Sequence, residues 1–500
     1  MRHNHLAALA LGCCLLTGSV QADADAAAQR QEVSRTFDRT LSVTGTTPLE
    51  VVHRHGDVRV RAHAGSELRI RADIRVSARS AADAQAFADR IDIDVQQTAA
   101  GVTVRTRYPE EDRMDDNRSF SVDYDLQVPQ GMPIEVRNNF GEVSATGMKA
   151  DTVIVNAHGR VSVADAAGRH RIENSFGAID VARVAGDLTI TGANGALSAT
   201  TIGGGVNATN RFGSVTVNGV RGAAIVANSN GQVIVTDAAS ASITTSFGPV
   251  AVSQITGAAT VTNSNGKVEI SAVKGGTQVK TTFGHVSVRD VGPGLTVVNS
   301  NGGVAATNVG GSAHVTTSFG TVELRDVSGD ATVENSNGSV TLFDIKGGAR
   351  VKTSFGLVSA NRVGDPFTVN NSNGGVQAAD VAGAAEVNTS FGPVVLKNVG
   401  GRVEVRNQNG AIDVAAASGR CYDMLLSTSF STLQVALPDS GYAVTARTSF
   451  GTIQSDVPIA STGAISERSL TGTIGAGGCV LQLTNANGNI RIVPLAASVP

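Results

Sequence analysis

Few side chains in this chain have the type and spacing that chemistry requires. Of four cysteines, two lie in an apolar leader, which leaves Cys421 and Cys479. One remaining pair in an exported chain predicts a single disulfide, with two separate buried thiols as the alternative. His53 and His55 share a strand face and His63 is near, but no cysteine or glutamate completes a metal-ligand pattern. The abundant serines precede Phe or Asn and are not set in a Gly-x-Ser-x-Gly elbow, so none is placed as a nucleophile. Arg289-Asp290 and Arg325-Asp326 recur 36 residues apart as solvated charges that pair at most along one face. Residues 203–205 are a glycine turn without the strand–helix junction that cradles phosphate, and the Gly-Gly-x-Gly-x-Asp calcium repeat is absent. No catalytic, metal or cofactor-binding residue is therefore expected.

The elements that position these residues come from a repeat. Phe-Gly pairs start at Phe140, Phe176, Phe212, Phe247, Phe283, Phe319, Phe355 and Phe391, and Asn-Gly pairs at Asn194, Asn230, Asn265, Asn301, Asn337, Asn373 and Asn409. Both series advance by 36 residues, once by 35, and they interleave at 18, with His158-Gly159 in an earlier Asn-Gly slot. Within a unit the apolar residues alternate, as Val261, then Val268 and Ile270, on either side of Asn265-Gly266. Period two on both sides of a glycine turn predicts strand, turn, strand, turn, and a constant spacing predicts coils stacked in register. The expected fold is all-β: a parallel β-solenoid of about 18-residue coils, alternating Phe-Gly and Asn-Gly types, with β-rich caps at both ends. The expected division is 1–22 a signal peptide, 23–130 an N-terminal cap with a short helix near Ala81–Arg90, 131–420 the regular solenoid, and 421–500 irregular C-terminal coils.

Parity then assigns faces. Phe319 has the parity of Val315 and Thr317, which places Phe176, Phe212, Phe247, Phe283, Phe319, Phe355 and Phe391 in an interior stack alternating with Asn. The opposite assignment makes Phe an outer apolar stripe able to drive assembly. On the outer face Ser229, Ser246, Ser264, Ser300, Ser318, Ser336, Ser354, Ser372 and Ser390, with Thr282, form a hydroxyl column. Such a column suits a repetitive hydrogen-bonding ligand, a glycan or an envelope or surface protein. Small hydroxyls beside glycine also suit a solvated turn with no ligand. The flanking row (Thr262, Lys280, Val298, Glu334, Lys352) is too varied to match an ice lattice.

Composition agrees with a thin core. The 500 residues include 57 Gly, no Trp and 4 Tyr, too few large side chains for a thick globular interior. With 17% charged residues and a net charge of −3, no basic field exists to hold nucleic acid. Arg2 and His3 precede an apolar run from Leu6 to Leu16, and Val20-Gln21-Ala22 follows as a cleavage site, which predicts export with cleavage after Ala22 and no transmembrane span. Lipidation at Cys13 is the alternative. The chain is expected in the periplasm, on the outer surface or secreted.

From about residue 40 the chain resembles the bacterial DUF4097 family, on the entry Val128-Pro129-Gln130-Gly131 and the iterated Asn-Gly-x-Val and Phe-Gly-x-Val units. The resemblance implies a β-strand-repeat, adhesin-like solenoid at the cell envelope and supplies no catalytic residues. The functional expectation is a non-enzymatic exported scaffold or binding surface. The alternative is a carbohydrate-active β-helix with its site in the irregular ends, distinguishable by a groove that collects two or more carboxylates.

Overall fold

The computed structural model describes residues 30–109, 118–462 and 466–495. The expected leader, with Cys13, and the acidic stretch 110–116 lie outside them. The chain is a parallel β-solenoid of about 17 turns at roughly 18-residue spacing. A regular coil is a seven-residue strand, a glycine turn, a six-residue strand and a second turn, as in Thr277–Phe283 and Val286–Val291. Thr277 pairs in parallel with Leu295 and Val286 with Val304, so each residue stacks on its equivalent 18 positions away. Val279, Val286, Val288 and Val291 point between the two sheets and are buried. β-branched side chains of this size fill a narrow two-sheet core without the volume that aromatics would demand.

Each turn has its own stereochemical requirement. At the first, Gly266 has φ +140°, and a Cβ there would lie 2.2 Å from the carbonyl oxygen of Gly248 in the coil below. Glycine is thus the only residue that lets consecutive coils approach. Near the second turn a column of non-glycine residues is left-handed, among them Asp290 (φ 54°), Asn308 (56°), Asp326 (54°) and Asp344 (55°). Asp and Asn recur in this column because they tolerate that conformation best after glycine.

At both ends the order of coils in space departs from their order in sequence. Leu49–Val52 pairs on one side with Gly101–Arg107 and on the other with Ile134–Phe140. The first coil in sequence is therefore the second in space. Likewise Cys479–Asn487 lies between Met424–Phe430 and Tyr442–Thr448, so the last coil is inserted beneath an earlier one. Antiparallel strands complete the caps: Gln31–Ser42 and Ser119–Pro129 flank Glu67–Ala78, and Ser469–Ile474 pairs with Tyr442–Thr448. The helix Ala81–Arg90, N-capped by Ser80, buries Ala84, Phe87 and Ala88.

The interior phenylalanine stack is corrected by this structure. Phe176, Phe212, Phe247, Phe283, Phe319, Phe355 and Phe391 are each about half exposed (49% to 55%). Parity fails because each Phe is the last residue of its strand, where the glycine bend begins and alternation no longer separates inside from outside. The residue two positions earlier carries the interior column instead: Thr281, Asn299, Thr317 and Asn335 in successive coils, all buried.

Candidate functional site

Three longitudinal rows meet at the end of each long strand. The innermost is the buried amide row. Asn263 Nδ2 donates to the carbonyls of Gly248 and Gly266, both at 3.2 Å, and Asn299 Nδ2 to Gly284 and Gly302, both at 3.0 Å. One primary amide carries two N–H groups and so satisfies the turn carbonyls of two coils. A coil between two such asparagines needs no amide of its own, and threonine occupies the slot there. The Oδ1 atoms of these asparagines are buried without a partner, which carries a desolvation cost.

The outermost row is the ring column, in which Asn265 is in register with Phe283 and Asn301 with Phe319. Near the N-terminus the row is continuously aromatic. His55 stacks on Phe140 at 5.3 Å, Phe140 on His158 at 4.8 Å and His158 on Phe176 at 4.8 Å, all within 7° of parallel. At the C-terminal end Asn487 stands in register beside Phe430, and the adjoining coil contributes Phe450.

The hydroxyl column runs between these rows on the outer sheet face. The serines from Ser229 to Ser390 are all half-exposed or exposed, as is Thr282. Ser318, Ser336, Ser354, Ser372 and Ser390 line an open trough of about 800 Å³ that Ser429 extends. Its second wall is the row Thr316, Glu334, Lys352, Asn370, Asn388 and Arg406, one residue per coil. Asn388 Nδ2 donates to Asn370 Oδ1 at 3.3 Å, so neighbouring coils are linked along the wall. Glu334 is the sole carboxylate among the lining residues.

The paired charges of the outer face are surface structure. Asp290 accepts from Asn308 Nδ2 at 2.6 Å, whereas Arg325 engages Glu323 and lies over Phe343. Arg362 donates to Asp344 at 2.7 Å, which holds that carboxyl down at about 2, and stacks 4.0 Å from the Phe343 ring centroid.

A second groove, of about 670 Å³, opens on the N-terminal cap and does gather carboxylates: Asp73, Asp123 and Asp125, among Arg59, Arg69, Arg71 and Arg75. Each carboxylate already has a partner. Asp123 is held by Arg75, Asp125 by Arg61 at 3.2 Å, and Asp73 by Thr36 at 2.9 Å. This is the kind of carboxylate-collecting groove that the carbohydrate-active alternative requires, with its carboxylates engaged by arginine and threonine side chains.

Behind that groove lies a network with no counterpart in the sequence motifs. His53 Nδ1 is 3.1 Å from Thr106 Oγ1 and 3.3 Å from Tyr108 Oη, and Thr106 Oγ1 is 2.6 Å from Tyr124 Oη. Burial lowers His53 to about 4 and raises Tyr108 to about 12. The three histidines go separate ways: His53 is buried here, His55 stacks on Phe140, and His63 Nδ1 accepts from the backbone N–H of Gly65. Two tyrosines in a tyrosine-poor chain were the available signal, but their meeting with His53 depends on the swapped coil order. Cys421 and Cys479 are bonded, with Cα atoms 5.9 Å apart, and join the lead-in of one terminal coil to the start of the inserted one.

Residues 295–493 match the family model described as Toastrack DUF4097. No curated protein matches the chain. Solved structures with a local likeness include a "putative cell adhesion protein" of Clostridium sporogenes, 7% identical, covering 53% of this chain and 99% of its own, TM-score 0.17. Another is a "putative adhesin" of Parabacteroides merdae, 12% identical, covering 60% and 96%, TM-score 0.16. A third, a "putative adhesin" of Bacteroides fragilis, is 10% identical over 58% and 96%, TM-score 0.17. At such scores they carry no argument about what this chain binds.

Proposed function

We propose that this protein is a non-enzymatic, exported, adhesin-like scaffold, a reading supported by the match of residues 295–493 to the Toastrack DUF4097 model and by the same repeat in the coils before them. Its serine trough would hold a glycan chain lying along the solenoid. The trough carries this reading: one hydroxyl per coil, amide and charged groups in the flanking row, and one carboxylate. The coil step of ~4.8 Å is close to the length of one sugar unit, so a polysaccharide can repeat its hydrogen bonds from coil to coil. A lone carboxylate suits holding a sugar, whereas hydrolysis requires two.

The test is binding of a panel of immobilised polysaccharides by the wild type and by Ser336→Ala/Ser354→Ala/Ser372→Ala. At ~1 kcal/mol per hydrogen bond, the triple variant should bind at least ~10-fold more weakly with unchanged melting. Equal binding by the variant, or none by the wild type, would remove the trough from consideration. Released reducing ends in the same assay would favour the carbohydrate-active alternative and direct attention to the groove at Asp73, Asp123 and Asp125.

A further inference from the structure

We infer that the ring column is a self-complementary zipper through which two copies of this chain associate side by side, antiparallel, about a two-fold axis. Ten phenylalanines, from Phe140 to Phe450, stand along it between 43% and 69% exposed. At ~200 Å² for a whole phenylalanine side chain, they offer on the order of 1,000 Å² of apolar surface. A standard interface takes about 800 Å² from each partner, and a monomer seldom leaves so much apolar surface in one line.

Shape determines the occupant. From Phe176 onward each ring is followed along the column by a smaller asparagine, so rings recur every second coil, ~9.6 Å apart, with a shallow slot over each asparagine. A column with that period fits its own image displaced by one coil, each ring edge entering a slot of the other copy. A two-fold axis midway between a Phe rung and an Asn rung produces that displacement and closes the assembly, whereas a parallel stagger would leave it open. The stack from His55 to Phe176 turns ring faces along the solenoid and ring edges outward.

Sedimentation of the full exported chain at ~10 µM should give twice the mass of one chain. Phe247→Ser/Phe283→Ser/Phe319→Ser/Phe355→Ser should weaken association at least ~100-fold, as removal of central aromatic anchors does. The second variant, Asn265→Phe/Asn301→Phe/Asn337→Phe, enlarges the apolar stripe but fills its slots. The unbroken stack Phe140–His158–Phe176 indicates that the fold accepts consecutive rings. This variant should also dissociate. Tighter association of the asparagine-to-phenylalanine variant would mean general stickiness and overturn the zipper. A monomeric wild type at ~100 µM would overturn it as well, and so would open filaments.

Discussion

At the residue scale, the interior position of each coil is decided by hydrogen-bond donors and the exterior one by ring edges. Thr317 and Phe319 are two residues apart, yet one is buried and the other 55% exposed. A charge at Thr317 would be desolvated between two sheets, whereas in the dissociated single chain a charge at Phe319 would meet water. Thr317→Asp should therefore destabilise by more than ~3 kcal/mol, and Phe319→Asp by about 1 kcal/mol from the lost burial of half a ring. Thermal unfolding of the two variants checks this, and similar melting temperatures would put the bend in the wrong place.

At the element scale, the N-terminal cap couples to the first coils through a buried, neutral imidazole. His53 lies at about 4 in the folded chain against about 6.5 when unfolded. Between those values the unfolded chain binds the extra proton, so stability is full above pH 6.5 and falls as pH drops toward 4. The loss amounts to about 2–3 kcal/mol. The expected observation is faster amide hydrogen exchange at Val51, Tyr124 and Thr106 at pH 4.5 than at pH 7, after correction for intrinsic rates, with the central coils unchanged. His53→Gln, which does not titrate, should flatten the difference. Uniform loss of protection along the whole chain would assign the acid sensitivity elsewhere.

For the whole molecule, the amide row shares the two-coil period from Thr245 onward, where Thr and Asn alternate coil by coil. Deleting Gly248–Phe283 joins Phe247 to Gly284, and Asn299 still serves the carbonyls of Gly284 and Gly302. Deleting Gly248–Asn265 joins Phe247 to Gly266 and removes Asn263, the amide that serves the Gly266 carbonyl. A buried carbonyl without a donor costs ~1–3 kcal/mol. The 36-residue deletion should thus unfold more cooperatively and at higher denaturant than the 18-residue deletion, although it loses more stacked interfaces. Chemical denaturation of both decides it. Equal behaviour would mean that the amides are not what sets the period.

The sequence by itself determined the coil. A fixed 18-residue spacing, apolar residues at period two and a glycine at the first bend of each regular coil leave little freedom, because each coil's neighbours are copies of itself and local pattern is then also tertiary pattern. The hydroxyl column from Ser229 to Ser390 was legible for the same reason. Three things were decided only in three dimensions. The bend at Gly320 turns Phe319 outward, since parity describes a straight strand and says nothing once the backbone curves. The trough is the second: the flanking residues Glu334, Lys352 and Asn370 lie two positions before the serines on the same strands, but only the stacked coils give the two rows a shared hollow. The ends are the third. Where the repeat lapses, a coil's partner is chosen by long-range packing, so Leu49–Val52 and Cys479–Asn487 each gain one partner that is not the neighbouring coil in the chain, Ile134–Phe140 and Met424–Phe430. Such insertion seats each terminal coil between two others, a gain in buried strand edges that no local periodicity encodes.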